Sequence, residues 1–206
     1  LHRLVSLYVE EKEFNLALKF ARRWGKLEPS NPDVQDTIAK LALTTGEEDE
    51  ALIQMEKVIA INPDDFGTLE KLAEIYDRKG NLQKAFDAYQ KLHSKNSQNF
   101  LYCDNLLQLG NSLGKSRHFR IRLLKKMYKL QPKNLSVIER LADLTGSLSL
   151  ISQGLKLDSK NGKLNYMKGD HYYKQWKKTT VKEDSIRSIR WFKKAKTDPQ
   201  WSGNAQ

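Results

Sequence analysis

The residues of this chain best suited to chemistry are few, and their spacing argues against most of it. The stretch Gly110-Asn111-Ser112-Leu113-Gly114-Lys115-Ser116 has the composition of a phosphate loop, in which backbone N–H groups and a lysine cradle a nucleotide. Its glycines are separated by three residues where the cradle needs four, and an amphipathic helical pattern precedes it where a strand is required. It is therefore expected to connect two helices. His2, His93, His118 and His171 are scattered without metal-ligand spacing, so each is expected at a surface or a helix end, with no metal site. Asp170 and His171 are adjacent, and successive helical residues point in different directions, so they form no dyad. Cys103 is the single cysteine, which excludes an internal disulfide framework and is compatible with any compartment. It is expected to be a small apolar residue on a helix. No catalytic residue, no metal and no cofactor is predicted.

Charge is more informative because it is unevenly spread. Residues 1–99 hold 14 Lys/Arg against 17 Asp/Glu, whereas residues 100–206 hold 22 against 8, so the net charge of +11 comes from the C-terminal half. No carboxylate occurs between Asn105 and Ile138, while eight Lys/Arg do. At about 100° per residue Arg122, Lys125, Lys126 and Lys129 share one helical face, opposite Phe119, Leu123, Met127 and Leu130. This stripe is either a solvated outer face or a docking surface for an acidic partner, an anionic membrane or nucleic acid. Nucleic acid is the weakest of these, because the nearby aromatics are spaced as core residues. Thirteen more Lys/Arg from Lys156 to Lys196 extend the basic character, with Lys177 and Lys178 expected in a long connection.

What must position these groups is a repeat. Ala17, Ala51 and Ala85 lie 34 residues apart, as do Gly46, Gly80 and Gly114, and as do Pro29 and Pro63. A period of about 34 residues describes a helical hairpin that buries its apolar face only by stacking on its neighbours. The alanines, with Ala39 and Ala73, are small where helices must approach closely. The glycines suit a left-handed residue closing the first helix of each pair, and the prolines follow the second, where a missing donor costs least.

Residues 66–99 carry Leu69-x2-Leu72-Ala73-x2-Tyr76, Gly80 and Ala85-x3-Tyr89-x2-Leu92, and residues 32–65 carry Ile38-Ala39, Ala42, Gly46, Ala51, Met55, Val58 and Pro63. This pattern resembles the tetratricopeptide repeat. The resemblance implies an all-α, right-handed superhelical solenoid of antiparallel helix pairs, with about six units at 1–31, 32–65, 66–99, 100–134, 135–161 and 162–201 in one array. The second half is irregular. In unit 100–134 the second helix fits only with one residue inserted near Lys115, which puts Phe119 or Arg120 at the alanine position. Unit 135–161 is short between Ala142 and Ile151, and the last unit is long between Tyr172 and Ser188.

In this family first helices line the concave groove that usually takes the ligand. The equivalent groove positions hold Asp36, Glu70, Asp104 and Glu139, and one turn further on Lys40, Glu74, Gln108 and Asp143, with Lys71 and Asn105 beside them. An acid-leaning groove would favour a peptide or protein segment carrying Lys or Arg; alternatively, these charges only solvate the surface and pair with Lys71 and Arg140. The same carboxylates would repel the C-terminal carboxylate of a chaperone tail, so no chaperone-tail clamp is expected.

The chain opens within a repeat at Leu1 and ends on Trp201-Ser202-Gly203-Asn204-Ala205-Gln206, which reads as the start of another helix; the expectation is a piece of a longer protein. No apolar run approaches the roughly 18 residues of a membrane span. Two functional classes follow. One is a non-catalytic interaction scaffold holding a peptide or protein in its groove, with the basic C-terminal surface as a second docking site. The other is the targeting or regulatory arm of an enzyme or assembly machine, docking its basic half on nucleic acid or an anionic surface.

Overall fold

The computed structural model describes residues 1–199 and Trp201. Its regular elements are twelve α-helices: α1 (His2–Glu10), α2 (Phe14–Leu27), α3 (Pro32–Thr45), α4 (Glu48–Ile61), α5 (Phe66–Arg78), α6 (Leu82–Lys95), α7 (Phe100–Ser112), α8 (Arg117–Leu130), α9 (Leu135–Thr145), α10 (Leu148–Leu157), α11 (Gly162–Thr179) and α12 (Lys182–Ala195). No strand occurs among the described residues. The chain divides into two compact units, Leu1–Leu113 and a second that begins at Gly114.

In the first unit each helix from α1 to α7 packs on the next. The spacing is set by the predicted small residues. Ala17, Ala39, Ala51, Ala73 and Ala85 are all fully buried, and larger side chains such as Leu18, Ile38, Met55, Leu72 and Leu92 fill the space around them. Gly46 closes α3 in the left-handed region at φ +84°, where a side chain would be strained.

The second unit repeats the plan with altered lengths. α8 packs on α9, α9 on α10, α10 on α11 and α11 on α12, and α9 also touches α11. α9 and α10 have 11 and 10 residues, whereas α11 has 18, so the departures from the period are carried by helix length. Arg120 occupies the fourth position of α8, where α2, α4 and α6 have their buried alanines. A Cβ on Gly154 of α10 would lie 2.4 Å from Leu164 Cδ1 of α11, so this glycine permits the close approach of the two helices.

One junction recurs between successive hairpins. Asn31, Asp65, Asn99, Asn134 and Asn161 cap α3, α5, α7, α9 and α11, each side chain accepting a backbone N–H of the first turn. The backbone N–H of each cap donates to the carbonyl three residues before it, in Glu28, Asn62, Asn96, Gln131 and Asp158. A turn and a cap thus form together at every junction.

Two expectations are corrected. Lys177 and Lys178 do not lie in a long connection: α11 continues to Thr179, and Thr180 closes it in the left-handed region at φ 57°. No glycine or proline marks that end, so the helix runs on through the lysines. Gly110, Asn111 and Ser112 belong to the last turn of α7, and the connection to α8 is confined to residues 113–116. The expected further helix at residues 202–206 lies outside the described residues.

Candidate functional site

The four equivalent first-helix carboxylates, Asp36, Glu70, Asp104 and Glu139, are all half-buried, and the residues one turn on, Lys40, Glu74, Gln108 and Asp143, are all exposed. This uniformity follows from helical phase: each pair spans one turn on the edge of a helix whose opposite side is packed. Eight of the predicted site residues, from Asp36 to Gln108, fall in the first unit, and Glu139 and Asp143 fall in the second.

Within the first unit, Asp36 pairs with Lys40 on its own helix α3 at 2.5 Å. On α7, Gln108 Nε2 donates to Asp104 Oδ2 at 2.9 Å. Glu70 is engaged differently, because the Tyr102 hydroxyl of α7 donates to its Oε1 at 3.2 Å. Tyr102 lies against Tyr89 of α6, with ring centroids 6.3 Å apart. Burial pushes the Tyr89 phenol up to about 12, helped by the charges of Glu74, Asp77 and Glu70, while a hydrogen bond with the Asn105 side chain works the other way. The fold therefore gathers Glu70, Glu74 and Asn105 around two buried phenols. Asp77 belongs with them, since residues 70, 74 and 77 share one face of α5. Among the described residues Glu74 and Asp77 make no ion pair; Lys71 beside them is exposed and makes none either. Sequence reasoning missed Tyr89, Tyr102 and Asp77, although the spacing of Asp77 from Glu74 and Glu70 was a signal.

In the second unit the carboxylates reach to the neighbouring first helix. Asn161 Nδ2, at the start of α11, donates to Glu139 Oε1 at 2.6 Å, and Lys163 pairs with Asp143 at 3.1 Å. Asp143 and Lys163 border a cleft of about 420 Å³ that Tyr166, Met167, Asp170 and Trp201 also line. On α8, Leu123, Leu124 and Met127 are buried, while Arg122, Lys125 and Lys129 are exposed on the other side and Lys126 is half-buried. Arg122 stands over the Phe119 ring at 5.6 Å.

Among the described residues no group of three or more His, Cys, Asp or Glu could hold a metal ion. Cys103 is fully buried on α7 with its Sγ 3.6 Å from His93 Nδ1. Among the described residues no helix is long and apolar enough to cross a membrane.

The tetratricopeptide repeat profile matches residues 33–65. A search of the curated proteins finds no match. Among solved structures, YrrB, described as a TPR protein with an unusual peptide-binding site, superposes with a TM-score of 0.60 at 14% identity, covering 90% of this chain and 96% of its own. A crystal structure of MamA gives 0.54 at 15% identity over 82% and 96% of the two chains. MamA from Desulfovibrio magneticus RS-1 gives 0.52 at 12% identity over 77% and 89%. At these identities the likeness speaks for the fold. The chain thus carries one matched tetratricopeptide repeat, at residues 33–65, within a fold of stacked helix pairs like that of these proteins.

Proposed function

We propose that this chain is a non-catalytic scaffold that holds a peptide or protein segment against its first-helix faces, with the carboxylates of α5 receiving a Lys or Arg of that segment. The observation that carries this reading is the row Glu70, Glu74 and Asp77 on one face of α5, next to Tyr89, Tyr102 and Asn105. Like charges three and four residues apart repel, and a bound guanidinium or ammonium would relieve the repulsion while the phenols exclude water around it. Asp36, Asp104, Glu139 and Asp143 already have internal partners and would contribute charge and shape more than direct contacts. Peptide binding in the similarly folded YrrB is consistent with this use of the fold. The exposed α8 cations Arg122, Lys125 and Lys129, with Lys126, supply a second docking surface for an acidic partner. The alternative, a targeting arm docking on a polyanion, predicts affinity that falls steeply with salt.

Selection of a randomised peptide library on the immobilised protein tests the reading. Captured peptides should be enriched in Lys or Arg; the enrichment should disappear in E70Q/E74Q/D77N and survive neutralisation of the α8 cations. A library without basic enrichment, or one unchanged in the α5 variant, rejects it.

A further inference from the structure

The hairpin of α11 and α12 carries cations that differ in setting from the α8 stripe. Lys168 of α11 places its Nζ 4.2 Å from the centroid of the Trp191 ring, and Lys194 of α12 places its own 4.5 Å from the same centroid. The two ammoniums are thus separated by no more than the sum of those distances. Trp191 is half-buried and packs on the cluster of Ala142, Ile151, Leu155 and Leu164. Lys168 is half-buried as well, and among the described residues neither lysine makes an ion pair. Two other cations of this hairpin already have partners: Arg187 pairs with Asp184 at 3.4 Å and stands over Tyr172, and Lys174 pairs with Asp170.

An aromatic ring holds one ammonium favourably; a second, brought to the same ring without a counter-charge, repels the first. Burial, and then the charge of Lys194, weakens the hold of Lys168 on its proton, in keeping with that crowding. We propose that Lys168 and Lys194, backed by Trp191, form an oxyanion site that receives an Asp or Glu carboxylate of an acidic protein segment. The inference rests on the reading that the chain binds protein segments, but it concerns a different surface from α5. A carboxylate brought to this pair supplies the counter-charge that neither lysine has among the described residues. A nucleic-acid base is disfavoured, since a ring already faced by two ammoniums is no stacking platform. Arg190, exposed one turn before Lys194, extends the cationic side of α12 along which such a segment would lie.

The experiment follows the Trp191 indole resonance by ¹H–¹⁵N correlation during titration of the whole chain with a short poly-glutamate peptide, the resonance being assigned by W191F. A saturable shift is expected, weakened about tenfold or more in K168Q/K194Q and less than about twofold in R122Q/K125Q/K129Q. The other indole resonances serve as the check that each variant is folded. An immobile Trp191 resonance overturns the proposal, as does wild-type binding by K168Q/K194Q or complete loss in the α8 variant. Two further arms test the occupant: a phosphoserine peptide binding about tenfold tighter than poly-glutamate, or a single-stranded oligonucleotide displacing it with a steep salt dependence, overturns the assignment to a carboxylate. Failure here leaves the peptide-library result on α5 untouched, so the two readings fall separately.

Discussion

The Tyr102 hydroxyl donates to Glu70 across 3.2 Å and so links α7 to α5, the first helices of successive hairpins, although the two residues are 32 positions apart in the chain. Tyr102→Phe removes that donor and leaves a half-buried carboxylate with one hydrogen bond fewer, which should cost about 1 kcal/mol. Urea unfolding should show a lower midpoint with an unchanged slope. Burial, and then Glu70, raises the Tyr102 phenol above its ordinary value, so Glu70→Gln should bring its titration back toward normal in phenolate absorbance. A titration unmoved by Glu70→Gln would deny the link.

Alkaline pH should weaken the first unit through Tyr89. Its phenol is held at about 12 in the folded chain against about 10 when unfolded, so the folded state keeps its proton longer. The resulting stabilisation is fully present below about pH 10 and is lost as the pH rises through about 12. Tyr76, pushed up to about 12 by burial and by Glu56, adds the same sign. Thermal unfolding at a series of pH values should show a decline over that window, shallower in Tyr89→Phe. A variant with the wild-type slope would place the titration elsewhere.

Gly154→Ala forces a methyl group to within 2.4 Å of Leu164 Cδ1 and 3.2 Å of Ile138 Cγ2, in the packed interior of the second unit. Overpacking of this kind costs about 1–3 kcal/mol, against a gain of about 1 kcal/mol in helix propensity. Net destabilisation is expected in thermal unfolding followed by circular dichroism. Gly67→Ala is the control, because its Cβ would meet only Asp65 Oδ1 at 3.5 Å, and it should be neutral or stabilising. Equal behaviour of the two variants would show that the α10–α11 approach tolerates a side chain.

The helix-pair architecture was legible because single residues enforce it: an alanine where helices touch, and a glycine where the backbone turns left-handed. The end of α11 was not, since Thr180 adopts the left-handed conformation without any residue type that announces it. The candidate carboxylates could be located by phase along each helix, but their partners could not. Tyr102 meets Glu70, and Asn161 meets Glu139, only after neighbouring hairpins stack, and no one-helix pattern encodes which residue will stand opposite. Trp191 gave even less signal, because the two lysines around it come from different helices.

The turn and cap hydrogen bonds of the junction that recurs from Asn31 to Asn161 join only a few consecutive residues, as in the stretch from Asn62 to Thr68. That turn and cap are local, so they add little to contact order and can form as early as the hairpins they join. They can also be copied whole. Duplication or deletion of a 34-residue segment would leave every surviving junction with its own cap and turn intact, which makes length the easiest property of this chain for evolution to change.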